Sequence, residues 1–341
     1  MASNSAPRGR DATHRYLYFD LEHNADGTSG DAPRGEEFHY IDLARVLSLV
    51  NRRLYRQGKV YHIANVSIHD SAADVEARFC TIPNTWYARR AWFEVFKAWK
   101  AQRRQALENN PAGAQQTGKW SDFKVYMNQD HINDPDWPLP KDVEDDDITS
   151  AEWNYADIAT MVNGVEHTGI AVKMMGEHAL TTGITDETTA DDASYSGTMG
   201  AIHALNQLWT EPQEEPESPG TMSTSPLLGM NLLSMGADAN LDDILDDIEN
   251  EGDTAPYTVA FPGRNNIMEA PWCVREVEID GGGSSGQKMG YVGGFPVPLG
   301  LLCIETKGNG DYSGTDNENI IGVCIEFVPG DYQGVAADDM W

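Results

Sequence analysis

The sequence predicts a mainly β protein whose core is a single jelly-roll-like antiparallel sandwich with helical and loop insertions. Short β-type runs occur near both ends of the 341-residue chain, and strands that pair after long excursions are typical of such sandwiches. Glycine (32) and proline (17) are plentiful, which suits many short strands joined by turns. The regular β–α alternation of a TIM barrel or a Rossmann sheet is missing from the pattern.

The first fifth of the chain predicts an arm, a strand and a helix. Residues 1–14 are polar and predict a flexible N-terminal arm, so the jelly-roll domain with its insertions is expected to span 15–341. A β-type run follows at 16–21. Residues 41–57 predict a helix because apolar side chains recur at 3.6-residue spacing. We expect Asp42 to cap its start and Gly58 to end it, with the arginines before Gly58 in its last turn.

Two alternating runs at 65–69 and 75–79 predict a hairpin across the polar residues 70–74. His62 and His69, within one predicted strand, are seven residues apart, so a regular strand places them on opposite faces and disfavours a zinc site. A second helix is predicted at 86–107, with Ala88, Trp92, Val95 and Trp99 as its apolar stripe.

The middle of the chain predicts insertions between the strands. An acidic, disordered-looking loop covers about 128–153, and Asn163-Gly164 predicts a hairpin between 155–162 and 165–175. Residues 176–256 predict a helix and loop insertion that forms surface or intersubunit contacts. It contains helical patterns at 202–209 and 241–248 and a polar, proline-rich loop at 211–226.

The C-terminal part returns to strands. The β-type runs lie at 272–279, 301–306 and 320–328, and the last is nearly all apolar, so we expect both of its faces to be buried. All four cysteines, Cys80, Cys273, Cys303 and Cys324, fall in predicted strands. We expect buried, reduced thiols and synthesis inside a cell.

Charge is distributed unevenly along the chain, whose net charge is −30. Residues 1–130 hold 18 basic and 15 acidic side chains, a balance of +3, whereas 131–341 hold 6 and 39, a balance of −33. Such asymmetry predicts two faces with different partners. A high-salt habitat is the alternative explanation for the excess of acids. The polar N-terminal residues predict neither a secretory signal nor a membrane anchor.

No pattern predicts catalysis or a resident cofactor. Residues 282–286 fit G-x-S-x-G by letter, but the following QKMGYVGGFPVPLG is unable to form the helix that a nucleophile elbow needs. We therefore expect no enzyme activity, no catalytic residues, no metal ligands and no cofactor. Ca²⁺ at subunit interfaces stays open, since the acidic segments 142–147 and 311–318 offer oxygen ligands.

Basic side chains concentrate in the N-terminal third and form the candidate nucleic-acid-binding set. A cationic surface binds phosphates without regard to sequence, and the alternative interpretation is a solvated helix face. The set comprises Arg8, Arg10, Arg52, Arg53, Arg56, Arg89, Arg90, Lys97, Lys100, Arg103 and Arg104.

Four segments resemble the capsid proteins of small circular single-stranded DNA viruses, the smacovirus-like group and its environmental relatives. They are NRRLYRQGKVYHI (51–63), IPNTWYARRAWFEVFKAW (82–99), GGFPVPLGLLCIE (293–305) and FVPGDYQGV (327–335). The resemblance runs from about residue 40 to the C-terminus and is poorest at 176–256. It departs from the family in the arm, where related proteins often carry a strongly basic segment and this chain has only Arg8, Arg10 and Arg15.

The resemblance implies a single jelly roll that self-assembles into a small icosahedral shell around a nucleic-acid genome. It implies insertions that form the outer surface and the subunit contacts. The expected partners are copies of the chain itself and genomic nucleic acid, with a host surface receptor as a further candidate and no membrane. The expected location is the virion. A non-catalytic β-sandwich binding module, lectin-like or cupin-like, is the alternative.

Overall fold

We derive the fold from a computed structural model. It describes residues 12–24, 36–70, 75–109, 118, 120–134, 137–142, 144, 146–149, 152–162, 165–176, 178, 197–210, 271–279, 288–308 and 318–340.

Strands dominate the described residues. They are β1 (Tyr16–Asn24), β2 (Glu36–Asp42), β3 (Lys59–Asp70), β4 (Val75–Thr81), β5 (Asp157–Val162), β6 (Val165–Lys173), β7 (Thr198–Gly200), β8 (Trp272–Ile279), β9 (Lys288–Pro298), β10 (Leu301–Gly308), β11 (Glu318–Phe327), β12 (Pro329–Gly330), β13 (Gly334–Val335) and β14 (Ala337–Asp339). The helices are α1 (Leu43–Asn51), α2 (Trp86–Asn109), α3 (Gln129–Asn133) and α4 (Ala201–Thr210).

Eight strands form a sandwich by nested antiparallel pairing. The outermost pair is β1 with β11, followed by β2 with β10, β3 with β9 and β4 with β8. Two further ladders, β11 with β3 and β10 with β4, join these pairs into two four-stranded sheets. The first sheet has the order β1-β11-β3-β9, with β14 extending it, and the second has the order β2-β10-β4-β8.

This arrangement is a jelly roll, in which one long eight-stranded hairpin wraps around a common core. The predicted fold class is therefore confirmed: the protein is mainly β, with a single antiparallel sandwich and helical insertions. The predicted pairing of the two chain ends is confirmed as well, since Tyr16 lies opposite Glu326 at the start of the β1–β11 ladder.

The inner faces of both sheets fill the space between them. Alternate residues of β1, Leu17, Phe19 and Leu21, point inward and are fully buried. They meet inward residues of the second sheet such as Phe79 and Ile304 in one hydrophobic cluster. Apolar burial of this kind is the main favourable contribution to folding.

Helix α1 closes one end of the sandwich but is shorter than predicted. Asp42 caps its start, as expected, by accepting hydrogen bonds from the backbone N–H groups of Ala44 and Arg45. The helix ends at Asn51 because Arg52 adopts a left-handed conformation (φ 53°). The Ser48 hydroxyl then accepts a hydrogen bond from the backbone N–H of Tyr55, whose ring is fully buried. The predicted last turn with three arginines is therefore wrong.

The predicted hairpin at 65–79 is also wrong. β3 belongs to the first sheet and β4 to the second, so the chain crosses the sandwich between them. Each strand buries one face in the same core, and two hydrogen-bonded strands of a single sheet would do the same. The alternation of apolar and polar residues is therefore identical for a hairpin and for two strands in facing sheets.

A β-bulge at Ala64 corrects the expectation for the two histidines of β3. The register shifts opposite β11, where Glu326 pairs with Asn65 but the next residue, Phe327, pairs with Ile63, so Ala64 is the extra residue. One extra residue reverses the inward–outward alternation. His62 and His69 therefore both lie on the outer face of the first sheet, where both are partly exposed.

The large insertion leaves the sandwich after Thr81 and returns at Trp272, two residues that are paired across β4 and β8. Its described part contains α2, α3, α4 and the small sheet β5-β6-β7. The predicted helices at 86–107 and 202–209 and the β5–β6 hairpin are confirmed. A second hydrophobic core joins these elements to the outer face of the second sheet, where Tyr40, Cys80 and Cys303 are buried.

The acidic segment at 128–153 has more structure than the sequence predicts. It begins with α3, and the backbone N–H of Lys141 donates a 2.8 Å hydrogen bond to the carbonyl of Tyr18. Lys141 also pairs with Asp147 at 3.1 Å and approaches Asp20. This part of the insertion therefore lies along the free edge of β1.

Several other expectations need adjustment. β11 is central in the first sheet, but on its outer face Cys324 and Glu326 are partly exposed, so only its inner face is fully buried. Among the cysteines, Cys80 and Cys303 are buried, Cys324 is intermediate and Cys273 is exposed.

Thr13 and His14, within the predicted arm, hydrogen-bond to Gln333 and Asn51. Residues 1–11, the predicted loop at 211–226, the G-x-S-x-G match at 282–286, residues 311–317 of the second acidic segment and the predicted helix at 241–248 lie outside the described residues.

Candidate nucleic-acid interface

Helix α2 carries most of the predicted basic set and orients it by its amphipathic pattern. Ala88, Ala91, Trp92 and Val95 are buried and pack into the second core. Residues three, four and seven positions apart share one side of a helix. The buried stripe therefore forces the opposite side of α2, with its basic residues, toward solvent.

Four basic side chains share this solvent side, and we call them the α2 basic face: Arg90, Lys97, Lys100 and Arg104. Lys97, Lys100 and Arg104 are exposed, and Arg90 is half-buried. Arg90 forms an ion pair with Glu94 at 2.5 Å, and Arg104 forms one with Glu108 at 2.8 Å. Such exposed pairs contribute less than about 1 kcal/mol each, so they leave the cations available to a stronger anion.

The charge of α2 remains positive after its acids are counted. The helix contains six basic residues and two acidic ones, a balance of +4. Its C-terminal half holds four of the six, Lys97, Lys100, Arg103 and Arg104. A cationic surface of this kind attracts phosphate groups through counterion release.

Residues 120–122 connect the two predicted basic segments. Arg103 donates a 2.6 Å hydrogen bond to the Ser121 hydroxyl, and the neighbouring Asp122 lies 3.8 Å from Arg56. Burial raises the pKa of Asp122, and the Arg56 guanidinium acts in the opposite direction. The structure therefore brings Arg56 and Arg103 to the two sides of one short segment.

This segment begins with an aromatic ring that the sequence reasoning missed. Trp120 is 54% exposed and directly precedes Ser121. The Arg103 guanidinium lies over the Trp99 ring at 5.2 Å. Aromatic rings interleaved with cations are typical of single-strand binding, because bases stack on the rings while phosphates meet the charges. The run KWSDFK at 119–124 was the available sequence signal, an aromatic ring between basic residues.

The remaining predicted residues are spread more widely. Arg89 is at the start of α2 and donates two hydrogen bonds to Asn84, at 2.9 and 3.1 Å. Arg52 is exposed and Arg53 is partly buried just after α1. Arg8 and Arg10 lie outside the described residues. The structure therefore places Arg56 and Arg103 against residues 121–122, apart from the solvent side of α2 that carries the α2 basic face, and it does not unite the whole predicted set.

Other kinds of site find little support in the described part of the chain. It contains no group of three or more metal-ligating side chains. The carboxylate of Asp142 is engaged in a local turn, since it accepts hydrogen bonds from the backbone N–H groups of Glu144 and Asp146. Among the described helices, none is both long enough and apolar enough to cross a membrane.

A comparison of this chain with protein families, curated proteins and solved structures finds no match.

Proposed function

We propose that this chain is a viral capsid protein that self-assembles into a small icosahedral shell around a nucleic-acid genome, as the resemblance to the coat proteins of small circular single-stranded DNA viruses implies. The observation that carries the proposal is the nested eight-strand jelly roll with a large insertion at one end. Jelly rolls serve chiefly as capsid, lectin and cupin-type domains. The choice among these three roles depends on which side chains lie between the sheets and which lie on the surface.

The interior of the sandwich argues against a cupin-like role. A cupin binds a metal between its sheets through clustered His and Glu side chains. Here the inward positions carry apolar side chains such as Phe19, Phe79, Phe295 and Ile304, all of which are buried in one cluster. The inner faces of the described strands therefore supply packing and no ligand set.

The surface exposes large apolar side chains on several separate elements, and a shell subunit needs several contact regions. A closed shell requires more than one kind of contact between identical copies. Large exposed side chains lie on β2, at the start of α2, on β8 and on β9: Phe38, Trp86, Trp272 and Tyr291. Exposed aromatic residues of this size are the usual anchors of protein interfaces.

The proposed genome contact is the α2 basic face together with Arg56, Arg103 and Trp120. It binds phosphates and stacks bases, so it is expected to favour single strands and to ignore sequence. In this proposal the protein performs no catalysis and has no resident cofactor, and it is made inside the host cell and carried in the virion.

Electron microscopy of the purified full chain tests the proposal directly. We expect uniform closed particles, and we expect the ratio of absorbance at 260 and 280 nm to exceed that of protein alone when particles are isolated from cells. A chain that stays monomeric at all salt, Ca²⁺ and protein concentrations would refute shell formation.

A lectin-like module is the second candidate, and one observation favours it. Tyr16, Tyr18 and Tyr291 are exposed on the outer face of the first sheet. Sugar rings commonly stack on such aromatic side chains. Saturable binding to an immobilised glycan panel by a strictly monomeric protein, lost in Tyr291→Ala, would favour this candidate over the capsid.

A further inference from the structure

Three cysteines form one row across the second sheet. Cys303 of β10 lies opposite Cys80 of β4, and Cys80 lies opposite Cys273 of β8. Directly opposed residues in antiparallel strands have Cα atoms about 4.5–5.5 Å apart. A disulfide spans Cα separations of about 4.4–6.8 Å, so each neighbouring pair in this row is within bonding range.

The row is located at the base of the large insertion. Cys80 is the second-last residue of β4, just before the chain leaves the sandwich, and Cys273 is the second residue of β8, just after it returns. A bond between them would close residues 81–272 into a covalent loop. It would also attach the edge strand β8 to the sheet at the point where a register shift interrupts its ladder.

The three thiols differ in access to solvent. Cys273 is exposed, whereas Cys80 and Cys303 are buried. The Cys273 thiol donates a hydrogen bond to a carbonyl of its own strand, that of Arg275, at 3.4 Å. A dissolved oxidant therefore reaches Cys273 first, and Cys80 is the neighbour placed to complete the reaction.

We propose that Cys80 and Cys273 form a reversible disulfide when the protein meets a low-molecular-weight disulfide. The Cys273 thiolate attacks that disulfide, forms a mixed disulfide and releases one thiol. Cys80 then loses its proton, attacks the Cys273 sulfur and releases the second thiol. The two cysteines lose two hydrogens in total, and the external disulfide is reduced to two thiols.

The second step controls the rate. Burial raises the pKa of Cys80, and the neighbouring Cys273 adds to the increase. The thiolate is the attacking form, so its scarcity at neutral pH slows ring closure. Closure is therefore expected to accelerate as the pH rises, and a mixed disulfide on Cys273 should be its visible precursor.

The experiment treats the full chain with oxidised glutathione at pH 7 and pH 9, blocks the remaining thiols, and identifies linked peptides by mass spectrometry. We expect a Cys80–Cys273 peptide, a decrease from four free thiols to two, faster formation at pH 9, and reversal by dithiothreitol. Cys324→Ser, a change in the other sheet, should still form the bond.

Two variants distinguish the proposed steps. Cys273→Ser should abolish the linkage, and because this side chain is exposed the variant should keep the native circular dichroism spectrum. Cys80→Ser should stop at a glutathione adduct on Cys273. Four free thiols after treatment, a Cys80–Cys303 linkage, or a wild-type adduct that never closes at pH 9 would each overturn the proposal.

Discussion

At the scale of single residues, Asp42 joins the sandwich to the insertion. It is buried at the junction of β2 and α1, and burial raises its pKa although its hydrogen bonds lower it. Its Oδ1 accepts from the backbone N–H groups that start α1, and its Oδ2 accepts from three side chains. These donors are Gln57 at 3.2 Å, Trp153 at 3.0 Å and Tyr155 at 3.1 Å.

Substitution of Asp42 should destabilise the protein in a graded way. Asp42→Ala removes the acceptor of all five donors, so we expect a loss of at least about 3 kcal/mol of unfolding free energy. Asp42→Asn keeps the cap oxygen but places an amide N–H₂ group against three donors, so its loss should be smaller. Urea denaturation measures both, with Asp331→Ala, an exposed change, as the control. Equal unfolding free energies for all variants would show that the hydrogen bonds of Asp42 do not stabilise the junction between the sandwich and the insertion.

His131 is a second buried polar residue at the same junction. Its ring stacks on Tyr40 of β2, with centroids 5.1 Å apart, and its Nδ1 accepts a hydrogen bond from the backbone N–H of Met127. Burial lowers the pKa of His131 to about 3, and the positive charge of Arg45 adds to the effect. The structure therefore holds the neutral imidazole.

Acid should weaken this junction. An unfolded histidine has a pKa of about 6.5, so the unfolded chain binds the extra proton as the pH falls below that value. The stability that the neutral ring contributes is complete above pH 6.5 and is lost progressively toward pH 3, by up to about 5 kcal/mol. Unfolding free energies measured between pH 4 and pH 7 should show this loss in addition to the loss that protonation of carboxylates causes.

His131→Asn supplies the control for that measurement. Its amide oxygen can still accept from Met127, but the side chain does not titrate. The difference in unfolding free energy between wild type and variant should therefore shrink as the pH falls. A difference that stays constant from pH 7 to pH 4 would mean that His131 does not carry the acid sensitivity.

At the scale of elements, the bulge in β3 depends on one glycine of the neighbouring strand. A Cβ atom added to Gly294 would lie 2.5 Å from the carbonyl oxygen of Ile63 and 2.9 Å from that of Ala64. Both are backbone atoms, which have little freedom to move. A Cβ atom added to the adjacent Gly293 would have no heavy atom within 4 Å, apart from those of its two chain neighbours.

The two glycines therefore form a matched pair of substitutions. Gly294→Ala should cost about 2–3 kcal/mol of unfolding free energy through overpacking. Gly293→Ala should be neutral or stabilise by up to about 0.5 kcal/mol, because it restricts the unfolded chain. Thermal or urea unfolding of the two single variants decides the matter, and equal effects would contradict the bulge geometry.

The α2 basic face makes a prediction about nucleic acid. Replacing Lys97, Lys100 and Arg104 with Gln should lower affinity for single-stranded DNA by about tenfold or more at low salt. Each lost phosphate contact reduces the salt slope by about 0.7, so the slope should fall by about two. Fluorescence anisotropy with a labelled oligonucleotide, measured over a range of salt concentrations, gives both quantities.

The matched control removes a cation elsewhere. Arg275→Gln changes an exposed side chain of β8, which is not part of α2. It should leave the affinity within about twofold of wild type. If this control weakens binding as much as the α2 variant does, the interface is diffuse and the α2 basic face is not the binding site.

At the scale of the whole molecule, the exposed aromatic residues should matter for assembly and little for folding. Trp86 is 59% exposed and Tyr291 is 62% exposed, on separate elements. Trp86→Ala and Tyr291→Ala should each weaken assembly by about tenfold or more, as expected for interface anchors, with unchanged circular dichroism spectra. Mass photometry of particle formation against protein concentration measures this, with Gln105→Ala as an exposed control. Normal assembly in both variants would place the contacts elsewhere.

The sequence was most informative where local patterns and tertiary needs agreed. The apolar stripe of α2, the Asn-Gly hairpin between β5 and β6 and the cap at Asp42 all follow from short-range chemistry. β2 and β9 were missed although both are members of the eight-strand core. β9 contains three glycines and two prolines, which normally interrupt strands, and it tolerates them because it is an edge strand with a bulge partner.

In the candidate interface, too, local patterns predicted some residues and long-range packing decided the others. The composition of α2 identified its basic residues, because helical periodicity fixes which side chains share a face. The exposure of Trp120 and the contacts of Arg103 with Ser121 and of Arg56 with Asp122 were not predictable, since they depend on how residues 120–122 pass between α2 and the segment after α1. A local pattern contains no information about such long-range neighbours.

By itself the sequence determined that the chain builds a β sandwich from its two ends and holds its cations in the N-terminal third. Hydrophobic periodicity and charge are properties of neighbouring residues, so they can be read along the chain. Tertiary structure alone decided which sheet each strand joins, which face β3 presents after its bulge, and that three cysteines from distant segments share one row. These features depend on pairing between residues far apart in sequence, which only the packed core selects.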